Sequence, residues 1–125
     1  MIKKKKFTWK QFDNAVDKLA KQIKHEGFAY DNVYGIPRGG LPLAACLAYR
    51  LGLEVVNRPG EHTLICDDIN DTGTTLKKYV EGNIAVIHSK ESSRVKPEWY
   101  AISAKENEWI IYPWETVKSS KLDRK

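Results

Sequence analysis

The chain has 125 residues, of which 42% are hydrophobic and 30% charged, including four tryptophans and six tyrosines. This composition is typical of one globular domain and excludes an intrinsically disordered chain. No apolar run approaches the roughly 20 residues of a membrane span, and no apolar segment follows the basic start MIKKKK as it would in a secretory signal.

The net charge of +5 is concentrated in two tails. Residues 1–6 carry +4 and residues 118–125 carry +3, which leaves −2 on residues 7–117. A dedicated nucleic-acid binder shows basic residues on its folded body, so we expect no nucleic-acid partner, no membrane partner, and two mobile basic tails on a single domain. Cys46 and Cys66 lie in apolar stretches without metal-ligand spacing, as expected for reduced core residues of a cytoplasmic protein.

The first predicted element is an amphipathic helix. Thr8 and Gln11 form a capping-box pattern, apolar residues then recur at helical spacing, and Gly27 is a natural stop. After this helix, short apolar segments alternate with helical ones. We predict strands at 32–36, 53–57, 63–67, 83–88 and 99–103, and helices at 41–51 and 74–80. This alternation predicts an α/β fold with a mostly parallel central sheet and helices on both faces, which binds its ligand at the carboxyl ends of the strands.

The segment TLICDDINDTGTTL, residues 63–76, is the most informative for chemistry. An apolar strand places the adjacent carboxylates of Asp67 and Asp68 at its end, and a turn rich in hydroxyl groups follows at 71–75. Backbone N–H groups and threonine hydroxyls in such a turn favour a phosphate, whereas the carboxylates suit hydroxyl groups or hydrated Mg²⁺. A ribose 5-phosphate would satisfy both halves.

Competing motifs fail on spacing. An EF-hand loop beginning at Asp68 would end on Tyr79 instead of glutamate, and the chain has no GxxxxGK[ST] phosphate loop. A phosphatase-type aspartate pair needs a spacing of two, whereas Asp68 and Asp71 are three apart. An acidic turn without function stays an alternative for this segment taken alone.

Three blocks together resemble a known family. DDINDTGTTL resembles the phosphoribosyl pyrophosphate (PRPP) signature of the type I phosphoribosyltransferases, and GIPRGG at 35–40 resembles their pyrophosphate loop. EWIIYPWE at 108–115 looks like the base-binding segment of the small microbial xanthine/guanine/hypoxanthine phosphoribosyltransferases. The blocks occur in the family's order, and the likeness extends from about Thr8 to Glu115.

The resemblance implies a type I phosphoribosyltransferase-like fold with a reduced hood, and an activity. Such enzymes use Mg²⁺ and transfer the phosphoribosyl group of PRPP to a purine base in purine salvage, and they are usually homodimers. The alternatives are a different acceptor base, or a regulatory module that binds PRPP or a nucleotide with little or no turnover.

The resemblance also assigns roles to residues of the signature and of the pyrophosphate loop. Asp67 and Asp68 would hold the ribose hydroxyls and the outer shell of the metal, and Asp71 would accept a proton from the base or stabilise positive charge. The catalytic set is therefore Asp71, Asp67 and Asp68. The 5′-phosphate would bind to Thr72, Gly73, Thr74 and Thr75, and the pyrophosphate to Arg38, Gly39 and Gly40, beside a cis peptide bond between Pro37 and Arg38.

The base site would comprise Lys90, Trp109 and Ile110. By the resemblance, Lys90 contacts the exocyclic oxygen of a purine, Trp109 stacks on its ring, and the backbone of Ile110 reads its edge. One departure is also clear: only RPGEH, 58–62, separates two predicted strands where the family carries a long mobile loop over the active site. A site without such a lid excludes water less well, which keeps the non-catalytic alternative open.

Overall fold

The computed structural model of the protein describes residues 1–79 and 82–116. Within these residues the chain forms two α-helices, one 3₁₀ turn at Leu76–Lys78 and seven strands. The helices are α1 (Trp9–Glu26) and α2 (Leu41–Leu51). The strands are β1 (Lys3–Lys6), β2 (Asn32–Gly35), β3 (Glu54–Val56), β4 (Thr63–Asn70), β5 (Ile84–Lys90), β6 (Trp99–Ala104) and β7 (Glu108–Ile111).

Five strands form a parallel sheet in the order β3-β2-β4-β5-β6. The central strand β4 pairs with β2 up to Gly35 opposite Cys66, and with β5 as far as Asn70 opposite Ser89. The predicted α/β class with a mostly parallel sheet is therefore confirmed. Because every strand of this sheet runs the same way, the ends of β2, β4 and β5 lie along one edge.

Both α-helices pack on one face of this sheet. The Thr8–Gln11 capping box begins α1, and Gly27 ends it in the left-handed conformation at φ 73°. The helices contact each other and cover the side of the sheet that carries Leu64 and Ile87. The opposite face was also expected to carry a helix, but among the described residues it has only the 3₁₀ turn, whose Leu76 packs on Ile65.

The N-terminal lysines depart from the prediction of a mobile tail. Lys3–Lys6 form β1, which pairs in parallel with β7 as a separate two-stranded sheet. The Lys5 ammonium forms an ion pair with the Glu108 carboxylate, so the basic segment has a specific partner. A run of four lysines has no hydrophobic periodicity, so the sequence pattern does not predict this strand pairing. The second predicted tail, 118–125, lies outside the described residues.

The connection between β3 and β4 is short, as predicted, and comprises residues 57–62. Cys46 and Cys66 are both free thiols, and burial raises the pKa of Cys66 well above its ordinary range. Among the described residues, neither α-helix is both long and apolar enough to span a membrane.

Candidate active site

A cleft of about 340 Å³ opens at the carboxyl ends of β2 and β4. It brings together two predicted groups that lie about 30 residues apart in the sequence, namely the pyrophosphate loop and the acidic signature. Its walls include Pro37, Arg38, Gly39, Asp67, Asp68, Asp71, Thr72, Gly73, Thr74, Thr75 and Tyr79. Burial, and then the proximity of Tyr34, raises the pKa of the Tyr79 phenol.

The acidic pair is fixed by backbone hydrogen bonds at the end of β4. Asp68 is only 7% exposed, and its Oδ1 accepts a hydrogen bond of 2.7 Å from the N–H of Ile69. The Oδ1 of Asp67 accepts one of 2.9 Å from the N–H of Asp68. These bonds hold the carboxylates in place against the cleft, where carboxylate oxygens can accept hydrogen bonds from ligand hydroxyls.

The predicted pyrophosphate loop packs directly on the acidic strand. A Cβ added to Gly39 would lie 2.2 Å from Oδ2 of Asp68, and one added to Gly40 would lie 2.2 Å from the carbonyl oxygen of Cys66. Only glycine therefore fits at either position. The Pro37–Arg38 peptide bond is cis, as predicted. The loop leads straight into α2, and the N–H of Leu41 donates back to the carbonyl of Arg38 at 3.1 Å, which holds the loop in a tight turn.

The threonine turn is held by its own hydroxyl groups. The Thr72 and Thr74 hydroxyl oxygens are 2.9 Å apart, and the N–H of Thr74 donates to Oγ1 of Thr72 at 3.2 Å. Gly73 has φ +93°, and a Cβ there would lie 2.9 Å from Oγ of Ser93 and 3.0 Å from Val95. A tight turn with hydroxyl groups and backbone N–H groups is suited to bind a phosphate, as the resemblance implies.

Sequence analysis missed the support behind this turn. Asn70 is 1% exposed, and its amide donates to Oγ of Ser89 at 3.1 Å and to the carbonyl of Val95 at 2.7 Å. The Ser93 hydroxyl in turn donates to Oδ1 of Asn70 at 2.8 Å. The loop after β5 is thereby attached to β4. The signal in the sequence was a polar residue at the end of an otherwise buried strand, because a buried polar side chain needs hydrogen-bond partners inside the protein.

Lys90 lies beside Asp71, as the resemblance implies for two residues that approach the same base. Its ammonium is 3.1 Å from Oδ1 of Asp71 and donates to the carbonyl oxygen of Glu106 at 3.0 Å. A second cleft of about 410 Å³ shares Asp71, Thr72, Gly73 and Thr74 with the first, and Lys90 lines neither of them. Its walls also include Ser92, Arg94 and Glu106, none of which the sequence singled out.

Trp109 and Ile110 lie in β7, outside the walls of both clefts. Ile110 is 3% exposed and packs in the main core, whereas Trp109 is half-buried and pairs with Lys4 of β1. The structure thus places their strand near the site without bringing either side chain into it. Their assignment to the base site stays a prediction.

The carboxylate oxygens of Asp67 and Asp68 suit a metal ion that binds together with the enzyme's substrate. The described residues contain no cluster of three histidine, cysteine or acidic side chains that could enclose an ion. Asp67 and Asp68 are hard oxygen donors, and Mg²⁺ is commonly held by one or two carboxylates together with substrate phosphates and water. The acidic pair therefore fits Mg²⁺ as a partial ligand set.

Comparisons with known proteins agree with this geometry. No protein-family model matches the chain. It is 26% identical to the xanthine-guanine phosphoribosyltransferase of Nitratidesulfovibrio vulgaris over 136 aligned positions, which cover 87% of this chain and 83% of that protein.

Solved structures give the same result. A purine phosphoribosyltransferase from Pyrococcus horikoshii superposes with a TM-score of 0.75 and 27% identity, covering 90% of this chain and 94% of that one. The xanthine-guanine-hypoxanthine phosphoribosyltransferase of Helicobacter pylori shares the fold with a TM-score of 0.78 at 21% identity, covering 98% of each chain. In sequence and in fold, the chain is thus similar to purine phosphoribosyltransferases, as its three motifs predict.

Proposed function

We propose that the protein is an enzyme that transfers the phosphoribosyl group of PRPP to a 6-oxopurine base and releases pyrophosphate, with Mg²⁺. One observation carries the proposal: a single cleft joins a glycine loop, a buried acidic pair and a hydroxyl-rich turn. A ligand with pyrophosphate, diol and phosphate groups in that order matches these three surfaces. The purine phosphoribosyltransferases among its relatives support a purine as acceptor.

The proposed reaction forms a bond between a base nitrogen and the anomeric carbon while the bond from that carbon to pyrophosphate breaks. Arg38 and the loop N–H groups bind the departing pyrophosphate, since a guanidinium matches phosphate oxygens. Asp67 and Asp68 hold the ribose hydroxyls, and the turn at 72–75 holds the 5′-phosphate. The sugar is thereby fixed at both ends, which lowers the entropic part of the barrier.

The base is proposed to bind beside Asp71 and Lys90. The nitrogen that attacks the sugar gives up a proton, and the Asp71 carboxylate is the group placed to accept it. Lys90, 3.1 Å away, would donate to the exocyclic oxygen of the purine. A base that carries oxygen at this position is favoured because an ammonium group can donate hydrogen bonds but cannot accept them.

Mg²⁺ is proposed to bind at Asp67 and Asp68 together with PRPP. When bound, the metal ion neutralises negative charge on the pyrophosphate. The protein's own contribution is to hold the two carboxylates through the N–H groups of Asp68 and Ile69 at 2.9 and 2.7 Å.

A second candidate is a regulatory module that binds PRPP or a nucleotide with little turnover. The six-residue connection at 57–62 favours it, because no long loop is available there to cover the cleft. This candidate predicts PRPP binding without pyrophosphate release for any purine base.

We also propose that the protein is a cytoplasmic homodimer, as is usual for the family. Leu41 and Tyr49 on α2 and Val55 on β3 are 46%, 90% and 51% exposed, and they offer apolar surface for a second copy. Sedimentation of the wild-type protein as a monomer at micromolar concentration would contradict this proposal.

The decisive experiment combines binding and turnover. PRPP and Mg²⁺ are titrated calorimetrically, and guanine, xanthine, hypoxanthine and adenine are then tested for pyrophosphate release. Asp67→Asn with Asp68→Asn should abolish PRPP binding, because both carboxylate acceptors are lost. The matched control is Asp13→Asn with Asp17→Asn on α1, which makes the same charge change where the partners are Arg50 and Lys21. Unchanged affinity in the first double variant would refute the site.

A further inference from the structure

Tyr112 links the C-terminal segment to the acidic pair. It follows β7 directly, is only 1% exposed, and its hydroxyl group donates a hydrogen bond of 3.0 Å to the backbone carbonyl of Asp68. The ladder between β2 and β4 ends two residues earlier, at Cys66. The hydroxyl group of Tyr112 thus binds β4 beyond the end of that ladder, at the residue whose carboxylate faces the cleft.

His88 is the second hydrogen-bond partner of the Tyr112 hydroxyl group. Its Nδ1 is 2.8 Å from the Tyr112 hydroxyl oxygen, and the ring is buried. A hydroxyl group has one proton to donate, and a carbonyl oxygen can only accept. Because Tyr112 donates to Asp68, His88 must donate from Nδ1 to Tyr112. The imidazole therefore donates to the phenol oxygen, and the phenol donates to the carbonyl oxygen.

Ring packing and a backbone hydrogen bond hold Tyr112 in one position. It stacks on Trp114 with a centroid distance of 5.1 Å and an interplanar angle of 6°, and it meets the edge of Phe7 at 5.7 Å. Its backbone N–H donates to Oε1 of Glu115 at 3.0 Å. Packing thus fixes the ring, and the hydroxyl group has a defined place relative to Asp68.

We propose that Tyr112 is a positioning residue that acts through Asp68. Its hydroxyl group, oriented by His88, fixes the end of β4 and thereby the carboxylate that binds the ribose hydroxyls of PRPP. This inference rests on the proposed function. It assigns the residue a role in the sugar site although its segment resembles a base-binding one.

The test is Tyr112→Phe, which keeps the ring and its packing and removes only the hydroxyl group. The loss of one buried hydrogen bond should weaken PRPP binding with Mg²⁺ about three- to tenfold in calorimetry. In steady-state kinetics, the KM for PRPP should rise while the KM for the purine stays constant. A purely structural role would lower the melting temperature without separating the two constants.

Tyr30→Phe is a matched control. Tyr30 is also buried, and its hydroxyl group donates to the carbonyl of Gly82 at 3.0 Å and accepts from Nε1 of Trp99 at 3.0 Å. It precedes β2, at the sheet edge opposite the cleft. This variant loses the same group in a similar environment, so it should lose comparable thermal stability and keep wild-type affinity for PRPP.

The outcomes separate the inference from the function on which it rests. Selective weakening of PRPP binding in Tyr112→Phe, with Tyr30→Phe unaffected, supports it. Equal PRPP affinity in Tyr112→Phe and wild type, equal weakening in both variants, or a rise in the purine KM alone overturns it and leaves the proposed function intact. A wild-type protein that binds no PRPP overturns both.

Discussion

Replacement of Gly39 by alanine tests whether the pyrophosphate loop and the acidic pair form one unit. The added Cβ would lie 2.2 Å from Oδ2 and 2.7 Å from Cγ of Asp68. Neither atom can easily retreat, because Asp68 is only 7% exposed and its other carboxylate oxygen accepts the 2.7 Å hydrogen bond from the N–H of Ile69. The substitution should therefore displace the loop or the carboxylate.

The size of the displacement follows from the distances. Real Cβ atoms essentially never approach closer than 3.0 Å, so the two groups must separate by about 1 Å. Overpacking of this kind costs roughly 1–3 kcal/mol in stability. A misplacement of about 1 Å in a catalytic site can lower turnover by about 100-fold. We expect a folded variant whose pyrophosphate release falls by about that factor.

The assay is pyrophosphate release at saturating purine, with the free energy of unfolding measured in urea. Gly60→Ala, in the connection between β3 and β4, is the control. A Cβ at Gly60 would meet only Oγ1 of Thr63, at an ordinary 3.5 Å. This variant should keep wild-type activity and stability. If Gly39→Ala is equally active, the loop and Asp68 are not coupled, and the steric argument is wrong.

Two further predictions concern β7. Trp109→Ala should raise the KM for purine about tenfold and leave the KM for PRPP unchanged, because stacking on a base is worth roughly 1–3 kcal/mol. An equal rise in both KM values would show that the base binds elsewhere. Hydrogen bonds from Lys5 and the Lys105 N–H lower the pKa of Glu108, so its stabilising effect is complete above the ordinary value of 4.5 and is lost as the pH falls through the lowered value. Between pH 7 and pH 3, the free energy of unfolding measured in urea should thus fall by up to about 1 kcal/mol more for wild type than for Glu108→Gln. Equal decreases would show that the carboxylate contributes nothing to stability.

Local signals were sufficient for much of the fold. The Thr8 capping box, the Gly27 stop and the alternation of strands with helices depend on neighbours in sequence, and each is present in the structure. The same holds for the acidic pair, because an apolar strand that ends in two carboxylates must place them at the edge of the sheet. The motifs that resemble the family also lie in such local segments.

Non-local packing was beyond pattern analysis. Pairing of Lys3–Lys6 with β7 joins residues about 100 positions apart, and its sequence carries no apolar period. The prediction that helices cover both faces extended a general rule of α/β folds to a segment where only a 3₁₀ turn forms, at Leu76–Lys78. The predicted helix at 74–80 would have about two turns, and so short a helix is marginal because helix nucleation is costly.

The base-binding segment shows the limit of assigning roles by position in a motif. Trp109 and Ile110 occupy the expected places in the sequence, but neither side chain lines the two clefts that contain Asp71. Tyr112, which no motif singled out, reaches Asp68 instead. Ile110 and Tyr112 are two positions apart and both pack in the main core, and the hydroxyl group of Tyr112 extends from there to Asp68. This hydrogen bond connects the segment after β7 to β4, at the residue whose carboxylate lines the cleft. If the proposed function is correct, a segment that resembles a base-binding one would therefore also position the sugar site.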